Sequence, residues 1–259
     1  MTILQKITAY KSKEVAAKKE AFPLATLRSS NWYERECIPM AQSIRNSNSG
    51  IIAEHKRKSP SKSVINDKVQ LDEVVKGYEH AGASAISVLT DTKFFGGSLE
   101  DLVLARQSVK IPLLRKEFII DPYQIHEAKA YGADAILLIA ACLTEEELKT
   151  FSQLAKALGL DVLLEVHNEI ELQKSLLPSV DMLGVNNRNL KTFEVTLETS
   201  KMLSEKIPNS FVKVSESGIS SIKAINELRP YGYKGFLIGE HFMKSENPGL
   251  KAAEFIDHI

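Results

Sequence analysis

Eight short runs rich in β-branched residues and leucine recur along this chain at intervals of roughly 20 to 35 residues, the rhythm of repeated βα units. They are Ile51–Glu54, Ala85–Leu89, Pro112–Lys116, Ala135–Ile139, Asp161–Val166, Met182–Asn186, Phe211–Ser215 and Gly235–Ile238. Between them Leu71–His80, Tyr123–Tyr131, Glu145–Leu158 and Ile219–Leu228 space their apolar residues three and four apart, which predicts helices. Gly82 and Gly132 stand where such helices should end, and Thr144 with Glu147 supplies an N-cap and a capping box. Strands this uniformly apolar are buried on both faces, as in a parallel sheet. An open doubly wound sheet would share the rhythm, but eight units in 259 residues favour closure into an α/β fold, the (β/α)8 TIM barrel. One barrel domain over 1–259 is expected, of which 1–45 is an N-terminal helical extension with helices at Ile3–Lys19 and about Trp32–Ile44. The extension reads as a plug over one barrel mouth, with contact to a ligand as the sharper alternative. Trp32, the only tryptophan, reads as a packing anchor.

Charge narrows the function. Lys plus Arg and Asp plus Glu both number 33, so the basic excess of a nucleic-acid binder is missing. The one basic cluster, His55-Lys56-Arg57-Lys58, suits a small anion better than a polymer. Cys37 and Cys142 form no CxxC pair, which suits a reducing, cytoplasmic setting. Met1–Lys6 lacks a signal-peptide layout, and the longest apolar run, Ala135–Leu143, is too short to span a bilayer. The histidines show neither HxH nor HExxH spacing, so no metal is expected. No GxSxG elbow exists and Phe95-Gly96-Gly97-Ser98 is too short for a dinucleotide fingerprint, so no cofactor is expected either.

In a parallel barrel the functional groups sit at the C-terminal strand ends. Here six otherwise apolar strands end in polar residues: Glu54-His55-Lys56, Lys116, Glu165, Asn186-Asn187-Arg188, Glu216-Ser217-Gly218 and Gly239. Alternation along a strand places Glu54 with Lys56, and Asn186 with Arg188, so each pair projects towards the barrel axis. One charged strand end is commonly just a solvated rim; six together predict a site. Glutamates and lysines in a semi-enclosed pocket point to general acid–base chemistry, with nearby carboxylates keeping Lys116 protonated. Ser217-Gly218 and Gly239-Glu240 lie where barrels hold phosphate, with Lys56 and Ser59 as a further cation and hydroxyl, although each glycine also fits a plain turn. Glu240 beside an anion should point away. His55 and His167 read as lying behind the site or at the surface.

Taken in order, these segments resemble the indole-3-glycerol phosphate synthase family across essentially the whole chain. The likeness is carried by Ile51-Ile52-Ala53-Glu54-His55-Lys56-Arg57-Lys58-Ser59-Pro60-Ser61-Lys62, Leu114-Arg115-Lys116-Glu117-Phe118-Ile119, Leu164-Glu165-Val166-His167, Gly184-Val185-Asn186-Asn187-Arg188-Asn189-Leu190 and Ser215-Glu216-Ser217-Gly218-Ile219. Ser87-Val88-Leu89-Thr90, then Phe95 and Gly97-Ser98, and Tyr10-Lys11 with Glu14-Val15 add to it. Ser63 departs from the family, which commonly has glycine there. The resemblance implies closure of the indole ring of 1-(2-carboxyphenylamino)-1-deoxyribulose 5-phosphate in tryptophan biosynthesis, releasing carbon dioxide and water. It implies Lys116 as general acid, Glu165 as base or iminium stabiliser, and Glu54 and Lys56 in proton transfer and dehydration, the order of transfers being open. Asn186, Arg188 and Glu216 would orient substrate, Phe95 and Phe118 would enclose the anthranilate ring, and Ser59, Ser217, Gly218 and Gly239 would hold phosphate. The expected partner is that small phosphorylated substrate, with no nucleic acid or membrane and the chain acting as a monomer. The rival readings are a phosphoribosylanthranilate isomerase-like barrel, weakened by Glu54 where a cysteine would stand, and a barrel kept only to bind a phosphorylated metabolite.

Overall fold

The computed structural model describes residues 2–190 and 192–259. Its strands are β1 (Ile51–His55), β2 (Ala85–Leu89), β3 (Leu113–Lys116), β4 (Ala135–Ile139), β5 (Asp161–Val166), β6 (Met182–Asn186), β7 (Val212–Glu216) and β8 (Tyr233–Ile238). They pair in sequence order, each parallel to the next, and β8 closes on β1 with Ile51 opposite Phe236. At least one helix fills every connection, as parallel neighbours require. The barrel predicted from the eight-fold rhythm is the fold of the chain.

Alternation splits the apolar residues into two cores. Ile52, Leu114, Leu137, Leu163, Met182, Val214 and Leu237 fill the barrel interior. Their strand neighbours Ile51, Ala53, Leu113, Ile136, Leu138, Val162, Leu164, Leu183 and Val185 pack outward against the helices. Both sets are almost wholly withdrawn from water, and each such Ile, Leu or Val contributes roughly 1.5–3 kcal/mol of transfer free energy. With the interior filled by side chains, a ligand is left only the mouths.

The extension reaches both of them, not the one expected. It forms α1 (Ile3–Ala21), α2 (Leu24–Arg28) and α3 (Met40–Asn46). Met40, Ala41 and Ile44 of α3 join the interior core from the N-terminal end, and the Ala41 N–H donates to Asp161 Oδ2 at 2.9 Å where β5 begins. α1 lies across the opposite, C-terminal mouth. Its buried stripe Ile7, Lys11 and Val15 follows helical i, i+4 spacing. Lys11 is buried, and its ammonium lies 3.0 Å from Glu14, 3.0 Å from Asp91 just past β2 and 3.1 Å from Glu117 just past β3.

Two helix boundaries differ from expectation for local reasons. No helix runs from Trp32 to Ile44, because Pro39 has no N–H to give and pushes Ile38 out of the helical region. The chain instead turns near Trp32, runs extended, and resumes as a helix at Met40. Asp134 fastens this stretch by accepting from the Ile38 N–H at 2.8 Å and from Arg35 at 2.6 Å. Trp32 is half-buried in the turn and is not part of the cavity wall. The helix expected from Ile219 starts at Ile222, since Ser217 and Gly218 are left-handed (φ 67° and 79°) and Ser221 caps the first turn.

Candidate active site

A cavity of about 480 Å³ opens at the C-terminal ends of the strands. Its wall includes every residue to which the resemblance gives a role: Glu54, Lys56, Ser59, Phe95, Lys116, Phe118, Glu165, Asn186, Arg188, Glu216, Ser217, Gly218 and Gly239. Inward parity explains the convergence: Glu54, Lys116, Glu165 and Glu216 stand one inward step above the interior core on their strands, and Asn186 two steps above Met182, past Gly184. Ile3, Leu4 and Ile7 of α1 complete the wall, a contribution the sequence reading left as an alternative.

The centre of the cavity is an ammonium among carboxylates. Lys116 Nζ pairs directly with Glu216 and lies 3.6 Å from Glu165. Lys56 Nζ sits 2.5 Å from Glu54 Oε1, as shared parity required, and Ser87 donates to Glu54 Oε2 at 3.3 Å. Burial pulls the Lys116 pKa down, but Glu216, Glu165 and Glu54 outweigh it and the ammonium is held above its ordinary range. Glu54, buried, is nonetheless kept below the usual carboxylate range by Lys56 and Lys116. Burial likewise pushes Glu165 up, yet His167 and Lys116 win and bring it to about 2. For Glu216 burial prevails, with repulsion from Glu165 and Glu54, and the carboxyl rises to about 7 in spite of Lys116. A proton donor, fixed anions and one carboxyl near neutrality thus share a pocket, an arrangement suited to moving protons at neutral pH.

The two ends of the cavity differ. At one, Phe95 and Phe118 face each other with ring centroids 5.8 Å apart, and Ile3, Leu4 and Ile7 belong to the same apolar cluster. Asp91 sets Phe95 by capping the short helix that carries it, accepting from the Phe94 and Phe95 N–H groups at 2.6 and 3.2 Å. At the other end Ser59, Ser61, Ser217, Gly218, Ser220 and Gly239 supply hydroxyls and backbone. Glu240 does not leave this wall as expected. Its carboxylate is neutralised where it stands, by Lys62 and by Lys244 at 2.7 Å.

His167 lies behind the site, outside the cavity wall, as one of its two readings had it, but its contacts escaped the sequence reading: its Nε2 is 3.3 Å from Glu165 Oε1 and its Nδ1 3.0 Å from Glu171 Oε2. The signal was available, because residues 165 and 167 share parity and Glu171 follows one helical turn later. Gly184 and Gly239 act as spaces: a Cβ at Gly184 would fall 2.3 Å from Glu216 Oε1, and one at Gly239 would fall 2.5 Å from Glu54 Oε1. His55 lies behind the site too, buried on the outer barrel face and lowered to about 4 by burial and Arg57. Among the described residues no cluster of His, Cys, Asp and Glu is arranged to hold a metal, and no helix is long and apolar enough to cross a membrane.

Comparison with known proteins agrees with the site. A sequence model described as indole-3-glycerol phosphate synthase matches residues 4–255. The indole-3-glycerol phosphate synthase of Bacteroides thetaiotaomicron is 46% identical over 257 residues, covering 99% of this chain and 98% of that one. That of Koribacter versatilis is 50% identical over 206 residues, covering 80% and 79%. Among solved structures, a chain of the tryptophan synthase α2β2 complex from Pyrococcus furiosus superposes with a TM-score of 0.58 at 15% identity, over 81% of this chain and 96% of that one, a likeness of fold alone. With a family match across nearly its whole length and close relatives of the same name, this chain belongs to the indole-3-glycerol phosphate synthase family.

Proposed function

We propose that the chain closes the indole ring of 1-(2-carboxyphenylamino)-1-deoxyribulose 5-phosphate, yielding indole-3-glycerol phosphate, carbon dioxide and water. The observation that carries this reading is the Lys116 ammonium, kept protonated among Glu216, Glu165 and Glu54 at the barrel mouth. Lys116 gives its proton to the substrate ketone as the ring carbon bearing the carboxylate attacks it, forming the new C–C bond. Carbon dioxide then leaves, and its bonding pair restores the aromatic ring. Glu165, anionic and beside Lys116, stabilises the positive charge on the ring nitrogen and serves as a base. Glu54 and Lys56 handle the proton that lets the new hydroxyl depart as water; loss of a proton from the adjacent carbon completes the indole.

The rest of the wall orients the substrate. Phe95 and Phe118 take the anthranilate ring, and Asn186 with Arg188 and Glu216 orient its carboxylate and the sugar hydroxyls. Ser59, Ser217, Gly218 and Gly239 take the phosphate, beside a Glu240 already neutralised by lysines. We place this activity in the cytoplasm, where the free cysteines Cys37 and Cys142 stay reduced, and assign it to the monomer. The isomerase-like and binding-only readings are not favoured by the family match.

The test is turnover of the purified chain on this substrate, followed by indole fluorescence without added metal or nucleotide. Fluorescence should grow with the wild type and fall by about 10²-fold or more in Lys116→Ala, the scale of a lost general acid. Wild-type binding without turnover would overturn the proposal.

A further inference from the structure

The charges in the cavity raise a question of pairing. Three buried carboxylates, Glu54, Glu165 and Glu216, face two lysines. Lys56 sits on Glu54 at 2.5 Å, and Lys116 sits against Glu216, standing off at 3.6 Å from Glu165. Glu165 therefore only shares Lys116 with Glu216, at the longer of the two distances, and a buried carboxylate with no cation of its own is costly. A further charge lies two residues on, just past the end of β5. His167 Nε2 is 3.3 Å from Glu165 Oε1, while Nδ1 and the His167 backbone N–H both meet Glu171 Oε2, at 3.0 and 2.8 Å. Glu171 is itself fixed by the Asn168 side chain at 2.8 Å.

We propose that His167 is a positioning residue that works through Glu165: held as an imidazolium between Glu171 and Glu165, it is the standing counter-ion of Glu165 and leaves Lys116 free to give its proton to substrate. This deepens the reading above and rests on it, since it needs Glu165 to act as a carboxylate. Burial disfavours the imidazolium, but the carboxylates of Glu165 and Glu171 on either side outweigh it and lift the ring to about 10. The other groups bordering these carboxylates supply no competing cation. Cys142, after β4, is a neutral thiol pushed up to about 12 by burial, and the Lys174 ammonium is turned to the Leu143 carbonyl at 2.6 Å.

Two measurements test this. The first is 15N NMR of the histidine rings in the full chain without substrate, with the His167 signals identified by their loss in His167→Gln. Both ring nitrogens should stay protonated up to about pH 8.5, a pH at which an ordinary imidazole is neutral. In Glu171→Gln, which keeps the contact without the charge, the ring should titrate lower. A His167 that titrates near its ordinary value in the wild type overturns the proposal, whatever the chain turns over. The second is the pH profile of turnover in His167→Gln. Glu165, still buried but short of a counter-ion, should titrate roughly one to three units higher. The ratio of kcat at about pH 8 to kcat at about pH 4 should then rise over that of the wild type, about twofold for a shift of two units and about tenfold for three, with KM within about twofold. A fall in kcat of equal size at both pH values would mark a merely structural histidine and refute the role. Absence of turnover in the wild type would instead defeat the proposed reaction and leave the NMR result standing.

Discussion

Gly184 offers the sharpest test of how the cavity is built. It lies in β6 facing the barrel axis, and nothing in its backbone demands glycine, since it is not among the residues with positive φ. What demands it is Glu216 on the neighbouring strand. A Cβ at 184 would stand 2.3 Å from Glu216 Oε1, 3.4 Å from its Cδ and 3.2 Å from Leu163 Cδ1. To reach even a tight contact the carboxylate must retreat by roughly 0.7 Å or more. Its Oε2 would then be drawn off Lys116, the pair at the centre of the site. Overpacking of this kind costs about 1–3 kcal/mol, which for a chain of this size lowers Tm by roughly 3–10 °C. Misplacing a reacting group by about 1 Å costs on the order of 10²-fold in rate. Gly184→Ala should therefore show both losses, measured by thermal denaturation and by kcat/KM for ring closure. Glu216→Asp in the same background withdraws the carboxylate by one methylene. The double variant should recover most of the lost Tm while its activity stays low, since Lys116 still lacks its partner. A Gly184→Ala protein with wild-type Tm and kcat/KM would show that the Glu216 carboxylate does not rest over this glycine.

Two further predictions concern charge. Lys11→Met leaves Asp91 buried without its cation and Glu117 with only Arg115, 3.7 Å away, so urea denaturation should report a loss of about 3–5 kcal/mol, with α1 the first segment to lose amide protection in hydrogen exchange; unchanged stability would mean that the cluster is not formed. Glu216 is lifted from 4.5 to about 7 by burial, so the folded protein holds a proton that the unfolded chain gives up, and this group's contribution to stability falls as pH rises through that window. Glu216→Gln should remove that fall, gaining on the order of 1–3 kcal/mol against the wild type between about pH 5 and about pH 7.5; parallel stability curves for the two proteins would refute it.

Much of the barrel was legible because its signals are local. A strand of five residues declares itself by its own side chains; alternation assigned Glu54 and Asn186 to the axis, while Lys116, Glu165 and Glu216 stood out as polar ends of apolar strands. The Thr144 capping box was equally readable, since its two partners are three residues apart. The misread boundary near Trp32 was also local: apolar spacing was followed through Pro39, which breaks it. What parity cannot give is the partner across the barrel. Lys116 on β3 meets Glu216 on β7, Lys11 on α1 meets Asp91 and Glu117, and nothing near any of these residues names the other. The glycines show the same limit most plainly. Gly239 reads from sequence as a loop glycine suited to phosphate, yet its missing Cβ is the space into which the Glu54 carboxylate fits. An absent atom carries no pattern of its own and gains meaning only from the neighbour that occupies its place. A site assembled from strand ends is thus predictable residue by residue, while its electrostatics depend on which carboxylate each small residue lets in, and that is decided by the closed barrel.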